Sequence, residues 1–464
     1  VTGGQVSVEW LAGTGVRWSV DPVVRDGRRL DRSGWEPDGG PAAVVFPQSA
    51  EQVQAVLRGA HASRTPVVAR GAGTALTGAG AAGAGVIVLD FGRMNRILAI
   101  RAADGVAVVE PGVITAELDR AAAGHGLRYA PDPASLELST IGGNIATNAG
   151  GLRCAKYGVT RDAVLGLDVV LADGTRIGTG RATLKGVAGY DLTGLFVGSE
   201  GTLGVVVAAT VRLRSLPEPT ATVAAAYADV EAAAAAAVAL AEARIQPVLA
   251  ELLDEATLNA IDAAQGTSLR AAGAALLVVQ TDGGADEAER AAAVLGRDAA
   301  GLRTTTDPAE TAALLAARRQ ALPSVERLGR PLIEDIAVPR SRLAEAVREI
   351  AAIARRHDVP VCTVAHAGDG NLHPLIVTGR DGISEAAVRA ADEIFGLALR
   401  LGGTVTGEHG IGVLKRAWLE REIGPAAHDL QQRLKALFDP HGILNPGKVL
   451  SGTPVTAVPD LVMR

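Results

Sequence analysis

The sequence predicts an α+β protein of two or three domains, and three observations carry that expectation. At 464 residues the chain is too long for one small core. From Ala43 onward, short β-branched runs alternate with helical patterns. Past Pro217-Glu218-Pro219 the composition shifts to Ala-rich helices alternating with strands, which predicts a layer of antiparallel strands and helices.

Residues 1–40 are rich in Gly, Arg and Asp with little periodicity, so a short helix and a loop are expected. Ala43-Val44-Val45-Phe46 reads as a strand. A helix follows to about Ser63, with Ser49 as its N-cap and Gln52 at the third helical position. Strands are expected at 66–70, 86–90 and 106–110, a helix around 115–125, turns through 131–160, and strands again at 164–171 and 203–213. In the second half the Ala run 232–237 reads as a helix, 275–280 and 336–339 as strands, Leu343–His357 as a helix, and the tail from about 424 as one helix ending near Asp439. No fixed-period repeat is visible.

Composition narrows function. A net charge of −6 without a dense Lys/Arg run argues against nucleic acid and anionic membrane surfaces, and 3% aromatics argues against base-stacking platforms. Cys154 and Cys362 allow no disulfide framework, cysteine zinc site or iron–sulfur cluster, and read as two small buried thiols. No stretch reads as a membrane span or signal peptide, so a cytoplasmic location is the default expectation.

The chemistry-bearing segment is His366-Ala367-Gly368-Asp369-Gly370-Asn371-Leu372-His373, followed later by Gly407-Glu408-His409-Gly410. Three of the eight histidines fall in these stretches. Strand-like runs flank the first, and Asp369-Gly370 is a strong two-residue hairpin signal. That loop would set His366 directly opposite His373 on one face, able to meet on one metal ion. Glu408 would complete a set of two histidines and one carboxylate with open positions. The plain alternative is a pair of satisfied polar residues at a hairpin end.

Three Gly-rich segments lie in the first half: Arg70-Gly71-Ala72-Gly73-Thr74-Ala75-Leu76-Thr77-Gly78; Ser139-Thr140-Ile141-Gly142-Gly143-Asn144 with Thr147-Asn148-Ala149-Gly150-Gly151; and Gly198-Ser199-Glu200-Gly201-Thr202-Leu203-Gly204. Any one could be a tight turn. Together they favour a large phosphate-bearing cofactor. Two other patterns fail. Gly78 to Gly83 matches the dinucleotide fingerprint but precedes a strand instead of opening a helix. Gly442 to Lys448 begins like a phosphate loop, yet Val449 replaces the magnesium-binding hydroxyl and Pro446 removes an N–H.

With Pro131-Asp132-Pro133 and Asn445-Pro446-Gly447-Lys448, these motifs make the chain resemble, over about 40–450, the flavoprotein D-2-hydroxyacid dehydrogenases. That family includes D-lactate dehydrogenase, the glycolate oxidase flavin subunit and D-2-hydroxyglutarate dehydrogenase, within the FAD-binding superfamily of vanillyl-alcohol oxidase and p-cresol methylhydroxylase. The resemblance implies a two-subdomain FAD-binding domain at 1–217 (core from about 38), a substrate or cap domain with an antiparallel sheet at 218–405, and a C-terminal segment at 406–464 packing back on the FAD domain.

The resemblance also implies the site. FAD contacts would come from Arg70 through Gly78, Pro131, Asp132, Ser139, Thr140, Gly142, Gly143, Asn144, Thr147, Asn148, Gly150, Gly151, Tyr157, Glu200, Gly201, Gly204, Val205 and Asn445. The pyrophosphate would sit on the Arg70–Gly78 loop and the 139–151 segment. Some relatives tether the flavin through a His in the first loop; this loop has none, so FAD is expected to be non-covalent. His366, His373 and Glu408 would hold one divalent metal (zinc, manganese or iron), His409 would be the general base, Asn371 would orient substrate, and Arg318 would bind its carboxylate. The alternative for Arg318 is a solvated helix face.

The implied reaction oxidises a D-2-hydroxy acid to the 2-oxo acid, with hydride passing to flavin N5. Dicarboxylate-using relatives carry a Lys where this chain aligns Ile333, which leans toward D-lactate or glycolate. D-2-hydroxyglutarate oxidation, direct use of oxygen, and a non-catalytic FAD-binding subunit of an electron-transfer complex stay open. So do the electron acceptor or partner subunit and a homodimeric state.

Overall fold

The computed structural model describes residues 7–183, 185–217, 220–379 and 383–450, so Glu218 and Pro219 of the expected boundary lie outside the described residues. The chain divides into two compact units. Among the described residues, the first comprises 7–151, Gly158–Leu216 and 408–450; the second comprises Leu152–Tyr157 and Pro217–Gly407.

The first unit holds two main sheets. One is four-stranded, in the order Arg17–Ser19, Ala43–Phe46, Ile87–Asp90, Val67–Arg70. The last three strands are mutually parallel, and Arg17–Ser19 joins the edge antiparallel. This edge strand lies where a loop was expected, because its three residues are too few to show alternation. Helix Ala50–Ser63 covers the sheet; Ser49 Oγ accepts from Gln52 N as expected of an N-cap, while the Gln52 side chain accepts from Gln48 N instead of from the cap residue. Its buried Val53, Val56, Leu57 and Ala60 recur at helical spacing and join a core with Val45, Leu89, Ile443 and Leu444.

The second sheet is five-stranded and antiparallel, in the order Ile97–Arg101, Val106–Val109, Val205–Arg212, Val164–Val170, Arg176–Gly180. Its core includes Leu118, Tyr129, Ile141, Leu167 and Phe196.

The second unit carries one eight-stranded antiparallel sheet. Its order is Gly301–Thr305, Ala221–Tyr227, Ala275–Thr281, Leu249–Leu253, Val361–His366, Asn371–Thr378, Arg330–Ile333, with Ile336–Ala337 also pairing Asn371–Thr378. Helix Leu343–His357 forms over its expected span: Leu343, Ala346, Val347, Ile350 and Ile353 make one buried stripe, basic residues fill the last turn, and Asp358 caps it at φ 51°. The α+β class and the large antiparallel sheet expected from sequence are what the structure has. Among the described residues, no helix is long and apolar enough to cross a membrane. Cys362 is buried as expected, but Cys154 is only partly so.

Candidate active site

The histidine hairpin forms with a different register from the one Asp369-Gly370 predicted. His366 pairs Asn371, and His373 pairs Val364, so the loop is the four-residue Ala367-Gly368-Asp369-Gly370. Gly370 takes φ 89° there, and a Cβ on it would lie 2.2 Å from Val338 O. The two registers differ by an even offset, so the histidines keep a common face; a one-residue slip would have parted them. They are diagonal neighbours, with ring centroids 5.1 Å apart and edge to face. Each offers a ring nitrogen within 4.8 Å of the other's.

Each imidazole has a carboxylate across the sheet. Glu251 lies opposite His366 in the neighbouring strand, and its Oε1 is 2.7 Å from His366 Nδ1. On the other side, the partner strand breaks at Glu334-Asp335, opposite Pro374, which has no N–H for the ladder. Continuing the same register sets Asp335 opposite His373, and Asp335 Oδ1 is 4.0 Å from His373 Nδ1. Thr406 donates to the other Asp335 oxygen at 2.8 Å. Both carboxylates are fully buried. Burial alone would raise the Glu251 carboxyl, but His366 and Arg318 outweigh it and hold it below its ordinary value.

Arg318, on helix Pro308–Val325, is therefore not a solvated helix-face residue. Its Nε donates to Glu251 Oε2 at 2.6 Å, and its side chain keeps 20% exposure. Asn371 is buried, and its Oδ1 has no hydrogen-bond partner among the described residues. Gly407 makes room for it: a Cβ there would lie 2.4 Å from Asn371 Nδ2. The second unit thus gathers His366, His373, Asn371 and Arg318 on or beside one sheet face, and the chain passes from Gly407 to Glu408 into the first unit.

In the first unit Glu408 and His409 are both mostly buried, with Oε1 and Nε2 4.0 Å apart. The residues after them are anchored by Glu200, whose two carboxylate oxygens accept from Ile411 N at 2.7 Å and Gly412 N at 2.9 Å. Thr77 Oγ1 donates to His409 O at 3.4 Å. Burial pushes the Glu200 carboxyl up to about 7, against the pull of these N–H donors and Lys448.

The Gly-rich segments differ in what they leave available. Among the described residues, no backbone N–H from Ala72 through Gly78 donates to a protein acceptor. That row of small residues suits an anion. In the second segment Ile141, Gly142, Gly143 and Asn144 commit their N–H groups to Val113, Pro111 and Thr140. Asn144 Nδ2 and Ser139 meet at buried Thr115. The two segments touch, since a Cβ on Gly71 would lie 2.2 Å from Thr140 Oγ1. Arg70 holds the loop's shape by donating to Leu30 O at 2.7 Å and Gly80 O at 3.1 Å.

Asn445 Nδ2 bridges Ala79 O and Glu200 O, and Lys448 Nζ reaches Ala81 O. The near-match to a phosphate loop is thus a clamp on carbonyl oxygens. Gly151 lies against Asp132, while Thr147 and Asn148 make local bonds to Gly143 O and Arg161 N. Gly201 supplies a φ of 71°, Gly204 packs on Val169 and Phe196, and Val205 is buried in its strand. Tyr157 falls in the second unit, where its hydroxyl and Lys156 both bond Asp282.

Sequence reasoning missed Glu251 and Asp335. The available signal was a carboxylate inside an apolar strand, Leu249-Ala250-Glu251-Leu252-Leu253, since such a residue is rarely buried without a cationic or metal-bound partner.

Comparison with known proteins identifies the family. Residues 41–180 match the FAD binding domain family, and residues 216–449 match the family of FAD linked oxidases, C-terminal domain. The chain is 44% identical to the glycolate oxidase subunit GlcD of Bacillus subtilis, over 89% of each chain. It is 37% identical to a D-lactate dehydrogenase of Archaeoglobus fulgidus, over 88% of this chain and 91% of that one. It is 34% identical to a D-2-hydroxyglutarate dehydrogenase of Stutzerimonas stutzeri, over 89% and 91%. Substrate-bound p-cresol methylhydroxylase shares the fold, with a TM-score of 0.75 at 16% identity over 94% of each chain. The 4-ethylphenol oxidase of Gulosibacter chungangensis does so too, at 0.75 and 19% over 96% and 98%. The chain belongs to the FAD-linked oxidases, as an FAD-linked oxidoreductase of the glycolate, D-lactate and D-2-hydroxyglutarate dehydrogenase type.

Proposed function

We propose that this protein oxidises a D-2-hydroxy monocarboxylate, D-lactate or glycolate, to the 2-oxo acid. The carrying observation is the buried His366/His373 pair with Glu251 and Asp335 set across the sheet from them. Metal-binding imidazoles are characteristically oriented by a carboxylate or carbonyl on the other ring nitrogen, and this pair fits that donor chemistry. Glu408, next in the chain after Gly407, is the third ligand in this reading. Two histidines and a carboxylate suit zinc, manganese or iron. When bound, the ion lowers the pKa of the substrate hydroxyl. When bound, FAD accepts two electrons at N5; its pyrophosphate fits the N–H row from Ala72 through Gly78, and no histidine in that loop could tether it.

His409 takes the hydroxyl proton as the hydride leaves the α-carbon, so the substrate loses two electrons and two protons in all. Arg318 grips the substrate carboxylate, and Asn371 offers its buried, unmatched Oδ1 to a substrate donor. Ile333, where dicarboxylate-using relatives carry Lys, leaves no second cationic handle and favours a monocarboxylate. With only two cysteines, the sequence provides no iron–sulfur relay, so an acceptor for the two electrons would lie outside the chain.

The test is anaerobic addition of D-lactate, glycolate and D-2-hydroxyglutarate to metal-loaded protein. D-Lactate or glycolate should bleach the flavin band fastest. If dithionite bleaches it and none of the three acids does, the substrate class is wrong.

A further inference from the structure

We infer that Glu251 is a positioning residue that fixes the tautomer of His366 and the placement of Arg318 together, so that the metal site and the carboxylate handle share one anchor. This deepens the proposed function and rests on its reading of His366 as a ligand.

Glu251 sits in the middle of strand Leu249–Leu253, whose residues are all buried. A carboxylate there is costly unless it is paired. Its two oxygens are each engaged by a different side chain, Oε1 with His366 Nδ1 at 2.7 Å and Oε2 with Arg318 Nε at 2.6 Å. An ionised carboxylate only accepts. The Arg318 guanidinium, which has donors only, donates from Nε. His366 must then donate from Nδ1, which places the lone pair on Nε2, the nitrogen that would ligate a metal. Cross-strand pairing of Glu251 with His366 fixes this alignment through the backbone as well. The helix carrying Arg318 is thereby tied to the strand carrying the ligand.

The decisive variant is Glu251→Gln, nearly isosteric but with one acceptor for two donors. Its NH2 group must face one of them. Facing His366, it drives the imidazole proton to Nε2, and metal affinity should fall about 10–100-fold in chelator competition. Facing Arg318, it displaces the guanidinium, and KM for D-lactate should rise about tenfold at saturating metal. Either change supports the inference. Parent-like metal affinity together with parent-like KM overturns it.

Elemental analysis of His366→Ala runs alongside. If that variant keeps the metal and turns over, the ligand reading itself is wrong. If it loses the metal while Glu251→Gln does not change, only the role of Glu251 falls. Flavin absorbance and thermal melting report folding. Should Glu251→Gln fail to fold, 15N-histidine spectra of the parent decide: a protonated Nδ1 on His366 is expected, and a protonated Nε2 overturns the proposal.

Discussion

Glu200→Gln tests how the segment after Glu408-His409 is held. The carboxylate is 5% exposed, and each oxygen accepts one backbone N–H, from Ile411 and Gly412. Glutamine has one acceptor, so one N–H is left buried without a partner, at a cost of about 1–3 kcal/mol. The parent carries an opposing penalty. Burial raises Glu200 from 4.5 to about 7, with Asp31 adding to the rise and Lys448 opposing it. A raised carboxyl means that the native state holds a proton the unfolded chain releases. The associated stability is full below pH 4.5 and is lost as pH rises through about 7.

At about 1.4 kcal/mol per unit, the loss between pH 5 and 7 is about 2 kcal/mol. The window ends before Lys448, lowered to about 8 by burial, begins to titrate. Urea unfolding followed by circular dichroism should show Glu200→Gln less stable than the parent by about 1–3 kcal/mol at pH 5, with the gap about 2 kcal/mol smaller at pH 7. Titrating groups that do not couple to Glu200 cancel in the difference. A gap that stays constant across this range would refute the reasoning.

Further outcomes follow from single contacts. His409→Ala should slow flavin reduction by D-lactate by about 10²–10⁴-fold in stopped flow while dithionite reduction is unchanged; parent-like rates would remove His409 as the base. Gly407→Ala puts a Cβ 2.4 Å from Asn371 Nδ2, and kcat/KM should drop by about tenfold or more with flavin content intact. Gly151→Ala puts a Cβ 2.3 Å from Asp132 O, a backbone atom that cannot rotate away, so about 1–3 kcal/mol of stability should be lost in denaturant melts. Lys435→Met removes the cation paired with buried Asp439, leaving the carboxylate only the Ile443 and Leu444 N–H donors, and should cost about 3 kcal/mol by the same assay.

Much of the fold was legible because strong periodicity survives tertiary context. Helix Leu343–His357 carries its own buried stripe and cap, and strand Ala275–Thr281 its own apolar run. Arg17–Ser19 and Arg176–Gly180 were not legible, the first for its length and the second because Arg-Ile-Gly-Thr-Gly has little β-propensity and is held by its neighbour Val164–Val170. Within the site, His366, His373, Asn371 and Arg318 were legible as residues, and their partners Glu251 and Asp335 were not. Those carboxylates are distant in sequence and meet the histidines only through strand order.

The sequence by itself determined the α+β class, the family, and the residue types available for chemistry, since these follow from local pattern and motif. The hairpin signal also predicted that the two histidines share a face, and the observed register, shifted by two residues, preserves this because side chains alternate. Only the tertiary structure decided that His366 pairs Asn371 instead of His373, and that strand Leu249–Leu253 brings Glu251 between His366 and Arg318. Register depends on the whole sheet's packing and on the break opposite Pro374, and neither is written in the hairpin's own residues.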